Sequence, residues 1–123
     1  MARVLVIDDD EVIAELLQSV LSEGGHAATA VPSLDAKLPD RVDLVITDLV
    51  TANPYSVGGA GAWVGEVRRR MPGVPVIVCT AHRDAANAGD DIAADAVLTK
   101  PFDLEVLLAL VQRLAPEGRA QAT

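Results

Sequence analysis

The segment RVLVIDDD, residues 3–10, places a short apolar run directly before a group of acids. Three later apolar runs end in a comparable way, at Asp48, at Thr80 and at Lys100. Short apolar runs bounded by polar residues are typical of buried strands. Four strand ends that carry groups suited to phosphate or metal indicate a single site along one edge of a parallel sheet.

Helix-length segments separate these runs, and three of them carry apolar side chains at the i, i+3, i+4 spacing of amphipathic helices. Residues 33–38 leave room for only a turn or two of helix, and residues 82–92 make a poor helix. The predicted strands are 3–7, 26–31, 44–47, 74–79 and 96–99, and the predicted main helices are 10–21, 60–71 and 104–114.

This alternation predicts an α/β fold: a doubly wound, five-stranded parallel sheet in the flavodoxin-like order 2-1-3-4-5, with helices on both faces. The chain has 123 residues, which favours one domain. We expect that domain to span residues 1–115 and to be followed by a disordered tail at 116–123.

Composition excludes several classes of protein. A net charge of −8 argues against nucleic-acid binding by this domain, and no apolar stretch has the length of a membrane span. The single Cys79 lies in an apolar run, which predicts a buried thiol and excludes an intrachain disulfide. These features predict a cytoplasmic protein.

The predicted strand order brings Asp8, Asp9 and Asp48 together, because the crevice of such a sheet lies between the first and third strands. Three close carboxylates repel one another and favour a hard divalent cation, for which Mg²⁺ is the best candidate. Lys100 and Thr80 would arrive from the next strands to bind phosphate oxygens. One carboxylate would then act as the nucleophile of a phosphoryl-transfer site.

Four motifs resemble the receiver domain of bacterial two-component response regulators, in particular those similar to chemotaxis regulators. They are VLVIDDDE, DLVITDL, PVIVCTA and LTKPF, in the family's order and at close to its spacing. The resemblance covers about residues 2–115. It implies a signalling module with self-catalysed phosphorylation and dephosphorylation rather than a metabolic enzyme.

The resemblance implies a role for each matched residue. Asp48 would accept a phosphoryl group from a phosphohistidine on a sensor histidine kinase or a histidine phosphotransfer protein. Asp8, Asp9, Asp48 and the backbone carbonyl of Val50 would bind Mg²⁺. Thr80 and Lys100 would contact the phosphoryl group. The resemblance also implies a cis peptide bond before Pro101.

Other candidate residues have structural interpretations. Asp10 and Glu11 are predicted to cap a helix, His26 to lie at the surface or at a strand edge, and Trp63 to lie in the core or at partly covered surface. His82, two residues beyond Thr80, is either a solvent-facing residue at a helix start or a modulator of dephosphorylation at the pocket rim.

Two segments depart from the family pattern. The loop after Asp48 is longer than usual, with glycines only at 58, 59 and 61. Val97 occupies the position where the family usually has the Tyr or Phe that responds to phosphorylation. We therefore expect the usual aromatic relay to be missing.

The sequence favours a stand-alone receiver domain that signals by binding an unknown downstream protein or by passing the phosphoryl group onward. A degenerate receiver-like module that acts without phosphorylation is one alternative. A small aspartyl-phosphate phosphatase is another, because Asp10 follows Asp8 at the distance of a possible acid/base partner.

Overall fold

The computed structural model describes residues 2–49, 57–80, 94–100 and 102–115. Within these ranges the chain forms five strands and three helices. The strands are β1 (Arg3–Ile7), β2 (Ala27–Val31), β3 (Leu44–Thr47), β4 (Val76–Thr80) and β5 (Ala96–Thr99), and the helices are α1 (Glu11–Glu23), α2 (Val57–Arg70) and α3 (Leu104–Leu114).

The sheet is parallel throughout, in the predicted order β2-β1-β3-β4-β5. One row of paired residues crosses all five strands, through Ala30, Val6, Ile46, Ile77 and Ala96. Because the strands share a direction, their carboxyl ends lie at one edge, with the ends of β1 and β3 side by side.

The sheet has a separate hydrophobic core on each face, because successive residues of a strand point to opposite sides. Leu5 and Ile7 of β1 belong to a cluster with Val64 of α2. Val4 and Val6 belong to the opposite cluster, with residues of α1 and α3 (Leu17, Leu21, Leu107 and Val111). The predicted arrangement of helices on both faces is confirmed.

Helix ends follow the predicted capping chemistry. The Asp10 side chain accepts hydrogen bonds from the backbone N–H groups of Val12 and Ile13, and the Asp103 side chain accepts one from Glu105. Gly25 follows α1 with a φ of 88°, a left-handed conformation that favours glycine. Asp10 is therefore confirmed as the cap of α1.

One local prediction is wrong, and one of the two alternatives given for His26 is excluded. Residues 33–38, all of them described, form turns and bends but no helix, and Leu34 packs into the core there. His26 is not a surface residue: it is 9% exposed, and its Nδ1 accepts a hydrogen bond from the Ala2 backbone N–H at 3.1 Å. This partner offsets the cost of burying the imidazole.

Other boundaries shift by a few residues. The second helix begins at Val57 rather than at residue 60, and the fourth strand covers Val76–Thr80 rather than 74–79. The loop predicted at 51–59 is wrong at residues 57–59, which belong to α2. Its residues 51–56, the poor helix predicted at 82–92 and the tail predicted at 116–123 lie outside the described residues. Among the described helices, none combines the length and the apolar character needed to cross a membrane.

Candidate functional site

Asp8 is the most buried acid at the carboxyl edge of the sheet. Its backbone N–H extends the pairing of β1 by donating to Val31 O at 3.1 Å, and the residue is only 3% exposed. Its Oδ1 accepts a hydrogen bond from the Asp10 N–H at 2.9 Å, and its Oδ2 accepts one from Lys100 Nζ at 3.2 Å. Both carboxylate oxygens therefore have a donor.

Asp48 follows β3 and lies beside Asp8, because its backbone N–H donates to Ile7 O at 2.9 Å. Its Oδ1 accepts a hydrogen bond from the Leu49 N–H at 2.8 Å, and its Oδ2 lies 3.6 Å from Lys100 Nζ. The side chain is 24% exposed, against 2% for that of Asp8. A reagent from solution can therefore approach Asp48 more readily than Asp8.

The three predicted acids come together as one potential metal site. Asp8, Asp9 and Asp48 each offer a carboxylate oxygen, and these oxygens all lie within 4.8 Å of one another. Asp9 is the exposed member of the group. A set of carboxylate oxygens open to water on one side suits Mg²⁺, which keeps several waters and takes one or two carboxylates.

Lys100 supplies a positive charge close to Asp8 and Asp48. Its backbone N–H donates to Thr80 O at 2.7 Å, which fixes the end of β5 against the end of β4. From there the side chain reaches the oxygens of Asp8 and Asp48. One ammonium group among three acidic side chains leaves room for a further cation.

The electrostatics of the pair follow from its burial. Burial raises the pKa of the Asp8 carboxyl above its ordinary value, and the charge of Asp48 adds to the rise, while the Asp10 amide and Lys100 oppose it. Burial alone would lower the pKa of Lys100, but the charges of Asp48 and Asp8 outweigh it and raise that pKa. Lys100 therefore stays protonated at neutral pH.

Thr80 and Val97 lie on the neighbouring strands β4 and β5. Thr80 is fully buried at the last position of β4, beside β5 in the sheet. Val97 lies within β5, is partly exposed and packs against the core on the α2 face. Val50, His82 and Pro101 lie outside the described residues, so their predicted roles stay predictions.

One residue next to the site has no predicted role. Thr47, the last residue of β3, is fully buried and contacts Asp48 and Trp63 through its hydroxyl group. The apolar residues before it are typical of an ordinary buried strand. One chemical argument could have indicated its role: a Trp N–H in the core needs an acceptor, and the core was one of the two locations predicted for Trp63.

Comparisons with known proteins agree with this arrangement. The family model of the response regulator receiver domain matches residues 4–112. Response regulator protein FleR of Pseudomonas aeruginosa is 36% identical over 120 residues, which cover 93% of this chain and 24% of FleR. Response regulator MprA of Mycobacterium tuberculosis is 36% identical over an alignment of 134 positions, which covers 98% of this chain and 55% of MprA. The chain thus spans only part of the length of these relatives.

Solved structures give the same result. Response regulator protein TrrA of Thermotoga maritima, crystallised in complex with Mg(2+)-BeF, is 30% identical with a TM-score of 0.74, covering 93% of this chain and 99% of that one. A response regulator receiver protein from Burkholderia phymatum is 32% identical with a TM-score of 0.69, covering 94% of this chain and 95% of that one. The chain therefore belongs to the response regulator receiver domain family of two-component systems.

Proposed function

We propose that this domain accepts a phosphoryl group on Asp48, with Mg²⁺, from the phosphohistidine of a sensor histidine kinase or a histidine phosphotransfer protein. One observation carries the proposal. Asp8, Asp9 and Asp48 offer oxygens within 4.8 Å of one another, and Lys100 Nζ lies 3.2 Å from Asp8 and 3.6 Å from Asp48. Acid cluster, nucleophile and cation thus share one edge of the sheet.

The transfer uses the more exposed carboxylate. An oxygen of Asp48 attacks the phosphorus, the P–N bond to the donor imidazole breaks, and an acyl phosphate forms on Asp48. The leaving imidazole takes a proton from solvent. Lys100 and the Thr80 hydroxyl would bind the phosphoryl oxygens, whose charge must be neutralised in the transition state.

Asp8, Asp9, Asp48 and the backbone carbonyl of Val50 would hold Mg²⁺. When bound, the ion would supply positive charge to the phosphoryl oxygens and relieve the repulsion among the carboxylates. Hydrolysis would then proceed by attack of water on phosphorus, which breaks the bond between phosphorus and the Asp48 oxygen. We propose self-catalysed chemistry of this kind rather than turnover of a metabolic substrate.

The two alternatives have less support. The proximity of Asp8, Asp9, Asp48 and Lys100 supports phosphoryl transfer, so a module that acts without phosphorylation is not favoured. A phosphatase would need Asp10 as its acid/base, but the Asp10 carboxylate accepts hydrogen bonds from Val12 and Ile13 as the cap of α1.

The domain's partners follow from its family. Receiver domains of response regulators interact with sensor kinases, and both curated relatives extend beyond the matched region. We propose a protein target or a phosphorelay as the route of output. The predicted cytoplasmic location and stand-alone action stay predictions.

Incubation with acetyl phosphate and Mg²⁺, followed by intact-mass measurement, tests the proposal. We expect a gain of one phosphoryl group that is lost in Asp48→Asn. Asp35→Asn, which changes an exposed acid, is the matched control and should be phosphorylated normally. Folded wild-type protein that gains no phosphoryl group, or gains it equally as Asp48→Asn, would overturn the proposal.

A further inference from the structure

A chain of hydrogen bonds joins helix α2 to the backbone at Asp48. The Trp63 indole N–H donates to Thr47 Oγ1 at 2.9 Å, and the Thr47 hydroxyl donates to the carbonyl oxygen of Asp48 at 2.6 Å. Trp63 is 7% exposed and Thr47 is fully buried. The Thr47 hydroxyl thus both accepts and donates, with little access for competing water.

The same peptide group also holds the Asp48 carboxylate. The carbonyl of the peptide between Asp48 and Leu49 accepts from Thr47, while its N–H donates to Asp48 Oδ1 at 2.8 Å. The plane of one peptide therefore sets the direction of the carboxylate. The Leu49 side chain lies in the same core cluster as Trp63, which restrains that plane further.

Each oxygen of the Asp48 carboxylate has a neighbouring group. Oδ1 is occupied by the Leu49 N–H, and Oδ2 faces Lys100 at 3.6 Å. A rotation of the peptide would move both oxygens relative to Lys100 and to the acids of β1. Phosphoryl transfer depends on alignment of the nucleophile, and a misplacement of about 1 Å can lower a rate about 100-fold.

We propose that Thr47 and Trp63 are positioning residues for the phosphoacceptor, and that their hydrogen bonds carry the state of Asp48 to α2. The inference rests on the proposed function of Asp48. Formation of the acyl phosphate removes the charge of the Asp48 carboxylate, which weakens its hydrogen bond from Leu49. The peptide, the Thr47 hydroxyl and the Trp63 indole then shift together, because hydrogen bonds link them.

The hydrogen bonds of Thr47 and Trp63 offer a route for the signal in a chain that lacks the aromatic residue of the family's usual relay. Val97 has no aromatic ring to reorient, whereas Trp63 is the protein's single tryptophan and lies on a helix next to the phosphoacceptor strand. Its fluorescence is therefore a direct readout of the proposed coupling.

Rates of phosphorylation by acetyl phosphate with Mg²⁺ test the positioning role. In Thr47→Val, which keeps the side-chain shape, we expect the maximal rate to fall about tenfold or more, with an unchanged half-saturating concentration of acetyl phosphate. Thr47→Ser restores the hydroxyl and should recover most of the rate. Thr29→Val, at an exposed position on β2, is the matched control and should retain the wild-type rate.

A second variant keeps the test valid if Thr47→Val does not fold. Trp63→Phe removes the indole N–H but leaves Thr47 in place, and we expect a smaller loss of rate than in Thr47→Val. Normal maximal rates in folded Thr47→Val or, failing that, in Trp63→Phe would overturn the inference alone. Absence of phosphorylation in the wild type would overturn the proposed function and this inference with it.

Tryptophan emission tests the coupling. With Mg²⁺ present throughout, acetyl phosphate should change the emission of the wild type but not that of Asp48→Asn. Thr47→Val that is phosphorylated to the same extent should show a reduced change. An equal emission change in Thr47→Val, or none in phosphorylated wild type, would contradict transmission through these hydrogen bonds.

Discussion

The Lys100 ammonium nitrogen lies 3.2 Å from the Asp8 carboxylate, although 92 residues separate the two in the chain. Asp8 follows β1 and Lys100 follows β5, and two other strands lie between them in the sheet. Side-chain exposure is 2% for Asp8 and 20% for Lys100. Because both groups are shielded from water, their interaction is stronger than that of a surface ion pair.

Replacement of Lys100 by Met should destabilise the protein in the absence of Mg²⁺. The change leaves the buried Asp8 carboxylate without its cation, at an expected cost of about 1–3 kcal/mol in the free energy of unfolding. Urea unfolding in EDTA measures this. Lys37→Met, at an exposed position, is the matched control. Equal midpoints for the two variants would show that the Asp8–Lys100 pair contributes little.

Replacement of Asp48 by Asn should not destabilise the metal-free protein. It removes repulsion from two neighbouring acids and the attraction of one lysine, so we expect an equal or higher urea midpoint in EDTA. Mg²⁺ should stabilise the wild type, by about 2.7 kcal/mol at 100 times its Kd, and Asp48→Asn much less. Asp35→Asn serves as the control. An undiminished response to Mg²⁺ in Asp48→Asn would place the ion elsewhere.

Asp95 should stabilise the first residue of β4. Its Oδ2 accepts from the Val76 N–H at 2.7 Å and from Arg68 Nη2 at 3.0 Å. Asp95→Ala should lower the free energy of unfolding by about 1–2 kcal/mol, because the Val76 N–H loses its acceptor.

Two further variants separate the contributions of Asp95. Asp95→Asn keeps an acceptor oxygen and should cost less than Asp95→Ala. Arg68→Ala removes the partly exposed ion pair with Asp95 and should cost at most about 1 kcal/mol. A larger loss in Arg68→Ala than in Asp95→Ala would assign the stabilisation to the ion pair instead.

Cys79 should be unreactive in the folded protein. Burial raises the pKa of its thiol from 9.0 to about 12, and the thiolate is the reactive form. Iodoacetamide at pH 8 should modify the protein only in denaturant, as measured by intact mass. Rapid labelling of the native protein would show that the site opens.

The same shift in pKa makes stability depend on pH. Above about pH 9 the unfolded thiol loses its proton while the folded thiol keeps it, so stability falls with rising pH, by up to about 1.4 kcal/mol per unit as far as pH 12. The difference in unfolding free energy between wild type and Cys79→Val isolates this contribution. An unchanged difference across pH 9–11 would contradict it.

The sequence was sufficient for the strand order and for the gathering of the acids with Lys100, because parallel strands bring their carboxyl ends to one edge. It was insufficient where a partner is distant in the chain. His26 is buried because Ala2, 24 residues away, donates to it. Thr47 gains its role from Trp63, 16 residues later on a separate helix. Neither contact leaves a local pattern in the residues beside it.

The position of Lys100 also bears on the order in which the molecule assembles. When β1 and β3 pair, they bring Asp8 and Asp48 together, but the cation that stabilises them arrives only when β5, the last of the described strands, joins the sheet. Partly formed sheets therefore carry more charge repulsion than the complete sheet. The acids of the proposed site thus oppose early intermediates and make folding more cooperative, since the native charge balance requires both ends of the domain.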